Sequence, residues 1–534
     1  MHNGHGSRLI KNTVVTLLNS FVLMATSWVI SIWVARQLGP ANYGIFNLVL
    51  WLIGTISWAV GMGFIHAITK FIAEFSGKNE SGSLRPIVMY VLKIETVISL
   101  LCTAILIFFS APVADYFFSP NESFFFFLAA LGLFPGVLTA IFSATIEGIQ
   151  KFEYFAWANL IISPLSFASK IAVLLMGKGI SGLLVVMLVF SFINAAFYLS
   201  VLKREGVLKR PAQGLSAEVR GRINRYNRSI IAILVCDKIV WDKSENFFLG
   251  RLCSASQIGY YNLGYNLVQK CVALLPATFW RVLFPAMSSY FGSGDRDKMK
   301  RLFYLATRYL AFIAFPLGTA GMILAYPIIH FLYGHEYIGA QRAMQILFIA
   351  SIFSSLSNPA SAILYGFEKQ SFIYKYGAVL AVLNLVLDVL FIKKYGATGA
   401  AICFGITTIF ASVGGLIYTC RTMHLRYPFV SVFKIAFSTI IMGVAMELVM
   451  LQNHELPGFI IALISGACVY LICSFVLGTF EEEDFVLLQS TKAAFPGRSK
   501  CIVDGVIGFI MQLKNGSDET GSPPDRDNTP AKPE

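Results

Sequence analysis

Charge is scarce in this chain. Only 13% of its 534 residues are Asp, Glu, Lys or Arg, about half the share usual in soluble domains. With 56% hydrophobic residues and a mean hydropathy of +0.68, that excludes a soluble globular protein and indicates a polytopic membrane protein. The nine cysteines lie mostly inside apolar segments and none forms a C-x-x-C pair, so neither a zinc site nor a disulfide framework is expected. No G-x-x-x-x-G-K-[ST] loop is present, which excludes ATP hydrolysis by this chain. Asp295-Arg296-Asp297 is a D-x-D, but its connection is too short for a glycosyltransferase domain, and it reads as turn chemistry. His66, His330, His335, His424 and His454 lie far apart, near the ends of apolar segments, and read as interfacial packing. No metal, cofactor or nucleic acid is expected, since the net charge of +13 is concentrated in particular loops, as membrane topology requires.

What is abundant is apolar sequence in runs long enough to cross a bilayer. About fourteen segments are expected, near 13–34, 44–66, 86–110, 124–146, 154–176, 180–202, 229–250, 258–283, 302–326, 340–364, 371–392, 396–420, 428–451 and 457–479. One alternate set of connections is basic, most of all the block with Lys203, Arg204, Lys209, Arg210, Arg220, Arg222, Arg225 and Arg228. The other set holds only Arg36, Lys178, Arg251, Lys393 and Lys394. By the positive-inside rule both termini are expected in the cytoplasm. The outer connections are too short for a folded domain, so the chain is not expected to be an enzyme.

The chain repeats itself. Residues 36–48 align with 251–263, with Arg36/Arg251, Gly44/Gly259, Asn47/Asn262 and Leu48/Leu263 coinciding. Gly148-x-x-Lys151 matches Gly366-x-x-Lys369, and Gly179-x-x-Gly182 matches Gly396-x-x-Gly399, at nearly the same offset. Six spans per unit is even, so both halves insert the same way up and form a parallel repeat about an axis along the membrane normal. The expected architecture is all-α: a six-helix lobe over 1–202, a basic cytoplasmic linker over 203–228 and a second six-helix lobe over 229–420. Two extra helices follow over 428–479, then a cytoplasmic or interfacial segment over 480–514 and a disordered tail over 515–534.

Residues 229–250 carry the strongest functional signal. The stretch is long enough to span, yet holds Asp237, Lys238, Asp242, Lys243 and Glu245. On one continuous helix all but Lys243 fall within about 140° of arc, with Trp241 among them. Each charge at the bilayer centre costs about 2.5–3.5 kcal/mol, so this stripe is expected to face other helices or a wet cavity. Lys270, beside Gln269, lies near the middle of the next segment, too deep to snorkel easily. Its alternative role is a structural ion pair with Asp242 or Glu245. Lys170 and Asp388 occupy near-equivalent positions in the two halves and are a candidate pair across the lobes.

ARQLGPANYGIFNLVLWL (35–52) and SENFFLGRLCSASQIGYYNLGYNL (244–267), the latter with Glu245, Gly250 and Gly259-Tyr260-Tyr261, resemble the polysaccharide transporter family. These are the Wzx-type oligosaccharide flippases of the multidrug/oligosaccharidyl-lipid/polysaccharide exporter superfamily. Leu283-Phe284-Pro285-Ala286 and Gly366-Phe367-Glu368-Lys369 fit as well, and the similarity covers roughly 8–480. The resemblance implies two six-helix lobes in a V, a central cavity and alternating access. The implied cargo is a polyprenyl-diphosphate-linked oligosaccharide moved from the cytoplasmic to the outer leaflet of the cell membrane, with glycan polymerase and glycosyltransferases as pathway partners. On that reading Lys238, Trp241, Lys243 and Lys270 are the candidate substrate contacts, and Asp237, Asp242 and Glu245 pair with the lysines or bind a coupling cation. The rivals are a cation-coupled exporter, a lipid II-type flippase and, against the short outer loops, a membrane glycan polymerase or ligase.

Overall fold

The computed structural model describes residues 3–484 apart from 62, 79, 119, 209–214, 242–243, 368–369, 453–454 and 482–483; for 3–25, 81, 120, 229–230, 232–241, 272–282, 284–285, 288, 291 and 370 only the backbone is described. The interfacial segment beyond 484 and the tail over 515–534 lie outside the described residues. The described chain is helical, with no strand. Its α-helices are α1 (Asn3–Val60), α2 (Phe64–Gly77), α3 (Leu84–Phe108), α4 (Ser110–Phe117), α5 (Ser123–Leu131), α6 (Leu133–Gly148), α7 (Glu153–Leu175), α8 (Gly179–Arg204) and α9 (Ala217–Trp241). They continue with α10 (Glu245–Leu252), α11 (Ala255–Ser293), α12 (Arg296–Ile323), α13 (Ala325–Tyr333), α14 (Gln341–Gly366), α15 (Gln370–Met423), α16 (Phe429–Gln452) and α17 (Leu456–Val476). Ten stretches are long and apolar enough to cross a membrane among the described residues. The chain is a multi-pass membrane protein.

Two of the ten stretches are double. α1 breaks at Gly39 (φ 70°, ψ 168°) and α15 at Gly396 (φ 56°, ψ −129°). Both glycines adopt backbone conformations that side chains strain, and Pro40 follows the first, where it suits the start of a new helix. The ten stretches thereby cover twelve of the fourteen expected segments; the other two fall in α9–α11. Helix ends follow local chemistry: Asp295 of the D-x-D caps α12, accepting from the Lys298 amide at 3.1 Å, and Lys203 and Arg204 close α8, where the helix dipole favours cations.

Packing divides the molecule by depth. At the end carrying Arg36 and Arg251, one apolar core runs through both lobes, with Leu48, Leu249, Ile258, Tyr337 and Met344 all in it. At the opposite end the cores are separate among the described residues. The first lobe packs Ile68, Ile72, Ile87, Ile141 and Leu202, and the second packs Leu283, Met287, Phe303 and Ile363. The helices outside the repeat, α16 and α17, add a methionine-rich core of Met442, Met446 and Met450 against Leu324.

Two expectations change here. The basic block over 203–228 is not linker throughout: α9 starts at Ala217, and its first turns dock on the first lobe. Ile223 is buried in that lobe's core, Arg222 clamps Glu74 at 2.9 Å, and Tyr90 donates to Asn224 at 3.0 Å. Ile223 and Tyr226 give this stretch an apolar face among its charges, which a count of Lys and Arg hides. Hydrogen bonds from Lys78 and Arg222 hold the Glu74 carboxyl below its usual range. The stretch 229–250 is not one helix either. Ser244 is a turn residue ahead of α10, which begins at Glu245, and residues 242–243 lie outside the described residues, so the stripe is not traced from α9 into α10.

Candidate functional site

The joined end of the lobes is built from the repeat itself. Gly44 and Gly259 are related by an offset of 215 residues, as are Pro40 and Ala255. A Cβ on Gly44 would lie 1.9 Å from the Ala255 carbonyl oxygen, and one on Gly259 would lie 2.2 Å from that of Pro40. The two contacts exchange under the repeat, as in an isologous interface, and small residues let the backbones touch. Gly250 closes against Leu48 and Phe117 in the same way. Tyr337 is buried here and donates to the Ala35 carbonyl at 2.7 Å. Arg251 reaches the Tyr116 ring at 4.8 Å. The two quoted segments, 35–52 and 244–267, are therefore sequences of the lobe interface.

Beside this joint, α10 and α15 enclose a polar cluster in the second lobe. Glu245, Asn246, Asn262, Asn384 and Asp388 are all buried. Ser244 Oγ and Asn384 Nδ2 each approach Asp388 Oδ2 at 3.4 Å. Asn384 also donates to Ser244 Oγ at 2.8 Å and accepts from Thr407 at 2.8 Å. Asn262 donates to Asn246 at 2.7 Å. Glu245 lies within electrostatic reach of Asp388, Tyr261 and Tyr265. A cavity of about 220 Å³ adjoins, lined by Tyr265, Gln269, Ser351, Ser354 and Thr408.

Of the residues singled out in sequence, the structure brings Glu245 and Asp388 into this cluster. Lys270 is half-buried on α11. Among the described residues it has no salt bridge, so its pairing with Glu245 is not formed. The side chains of Asp237, Lys238 and Trp241 are not described, and Asp242 and Lys243 lie outside the described residues. The suggested Lys170–Asp388 pair is also not formed: Asp388 turns into its own lobe, while Lys170 lies over the Phe167 ring at 5.6 Å. Asn384 and Thr407 were not singled out in sequence; the signal there is Asn384 and Asp388 at i, i+4 inside an apolar segment. Glu95 was missed as well. It is fully buried in the middle of α3, and neither carboxylate oxygen has a hydrogen-bond partner among the described residues.

Comparison with known proteins agrees with this architecture. The family model described as "Polysaccharide biosynthesis protein" matches residues 33–342, from the joint through the first lobe and into the second. The chain is 27% identical over 235 residues to the lipid II flippase MurJ of Bacillus subtilis, covering 40% of this chain and 43% of that protein. It is 20% identical over 414 residues to a putative O-antigen transporter of Shigella flexneri, covering 75% of this chain and 95% of that one. A solved structure of lipid II flippase MurJ in an inward closed conformation superposes with a TM-score of 0.71 at 16% identity, covering 87% of this chain and 99% of that one; the two share a fold. With that match over more than half its length, the chain belongs to the polysaccharide biosynthesis protein family.

Proposed function

We propose that the chain is a flippase that moves a polyprenyl-diphosphate-linked oligosaccharide from the cytoplasmic to the outer leaflet by alternating access, for surface polysaccharide biosynthesis. One observation carries the reading: a single core joins the lobes at one end, while each lobe keeps its own core at the other. Two rigid bodies held by a twofold-like backbone contact can rock, opening one side as the other closes. The names of the relatives supply the cargo class, a saccharide on a lipid carrier. A hydrated glycan and a diphosphate need a polar route, and the polyprenyl tail stays in lipid. The protein sits in the cell membrane with both termini in the cytoplasm, so the joined end faces outward. Phosphatase fused after residue 215 or 480 is then inactive, and strong activity at either point contradicts the orientation.

Lys238, Lys243 and Lys270 contact the diphosphate and Trp241 stacks on a sugar ring. Lys270 supports this assignment by being half-buried without a carboxylate partner among the described residues. Asp237 and Asp242 orient the lysines. Glu245 and Asp388 form the coupling site: Asp388 has no salt bridge among the described residues, and buried charge must be balanced by a proton or a cation. Asp388→Asn is expected to remove the dependence of transport on the cation gradient; a retained dependence contradicts that role. A charge-assisted contact contributes about 1.5–3 kcal/mol, or roughly 10–150-fold in affinity. Lys270→Gln therefore cuts glycan export severely at normal membrane abundance, and Lys270→Arg keeps part of it. Unchanged export by Lys270→Gln removes Lys270 from the site.

A further inference from the structure

A cleft of about 760 Å³ lies outside the polar cluster, where α16 meets the second lobe. It is at the joined end of the molecule, among the last turns of α12 and α16, the start of α13 and the first turns of α14. Arg342 and Glu447 both line it and both are exposed, and among the described residues neither forms a salt bridge. Gln345 is already used, donating to the Met322 carbonyl at 3.2 Å. Ile346, Ile349 and Met450 make the apolar wall. Ile349, Val444, Leu448 and Leu451 are exposed apolar residues of α14 and α16, which places the mouth of the cleft toward lipid. Glu447 lies five residues before the end of α16, about 7–8 Å inside it, where a solitary carboxylate is costly.

We infer that this cleft is a binding site for a phospholipid with a zwitterionic, ammonium-bearing headgroup. Arg342 takes the phosphate, for which its guanidinium fork is suited. Glu447 accepts from the ammonium, and an acyl chain follows Ile346, Ile349 and Met450. One ligand neutralises both charges, which an anionic lipid or a bare phosphate does not. α16 lies outside the repeat, so the first lobe has no counterpart of the cleft, and the lipid fastens the extra helices to the second lobe.

The test is native mass spectrometry of the full chain released from bilayers of equal phosphatidylethanolamine, phosphatidylglycerol and phosphatidylcholine. The wild type is expected to retain phosphatidylethanolamine over both others, because the quaternary ammonium of phosphatidylcholine has no N–H to donate to Glu447. Arg342→Gln lowers retention of all three about tenfold or more, while Arg342→Lys loses less. Glu447→Gln abolishes the preference for phosphatidylethanolamine over phosphatidylglycerol and keeps binding. Equal retention of the three lipids by the wild type overturns the inference, as does an Arg342→Gln chain of normal elution profile that retains lipid as before. Arg342 and Glu447 acting as a latch for each other would overturn it too: the double reversal Arg342→Glu with Glu447→Arg then restores stability lost in the single reversals, with no lipid preference in any variant.

Discussion

Arg308 shows what a charge in an apolar segment needs. It is almost fully buried on α12 and is held by two carboxylates from the chain after α17: Glu481 at 2.5 Å and Asp484. Tyr304 donates to Glu481 at 2.9 Å and Tyr309 to Asp484 at 2.7 Å. Burial alone raises the Glu481 carboxyl, but hydrogen bonds from Arg308 and Tyr304 outweigh it and hold it below the usual range. A depressed carboxyl stabilises the fold above its unfolded value, near about 4.3, and that contribution is lost as pH falls through the lower folded value. Arg308→Gln leaves two acids facing each other and is expected to cost on the order of 3 kcal/mol, read as a lower unfolding midpoint in detergent. An unchanged midpoint contradicts the clasp. In sequence, Arg308 reads as a residue able to snorkel and 480–484 as an acidic break; their pairing across more than 170 residues is tertiary and leaves no local pattern. Glu245 was legible because a carboxylate in a spanning run is costly wherever it points. The partners that make it a site, Asn384, Asp388 and Thr407, come from α15 and become visible only when α10 and α15 are packed.

Among the elements, the crossing of α1 and α11 joins the two lobes. Sequence showed that Gly44 and Gly259 are equivalent, and the structure shows that equivalent positions meet. That follows from a parallel repeat whose axis passes between them: residues near the axis touch their own counterparts. Gly259→Ala and Gly44→Ala each place a methyl inside a carbonyl oxygen's contact distance, so both should part the lobes at this end. Spin labels at Arg36→Cys and Arg251→Cys, in a background freed of native cysteines, are expected to move apart in both variants. Gly54→Ala, with nothing within 4 Å of the added carbon, is the silent control. An unchanged distance in both variants contradicts the joint. The stretch 229–250 was legible in composition but not in continuity, because hydropathy does not register the turn at Ser244 ahead of α10. The docking of α9 on the first lobe was hidden for a related reason: Ile223 and Tyr226 are outnumbered by basic neighbours.

For the whole molecule, scarcity of charge, apolar run length and the internal repeat were sufficient to give an all-helical, two-lobed membrane protein. They are properties of solvent and chain length, which need no knowledge of contacts. Which end is joined was not legible, since it depends on how two lobes of similar sequence pack at each depth. The central claim is that this chain carries a lipid-linked saccharide across a bilayer. Its most direct test is purified protein in vesicles that hold a fluorescent polyprenyl-diphosphate oligosaccharide in both leaflets, treated with a membrane-impermeant quencher. The account predicts that inner-leaflet fluorophores become quenchable with wild-type protein, and that Lys270→Gln slows this at equal reconstitution. Protection identical to that of protein-free vesicles, under every imposed proton or cation gradient, would contradict it.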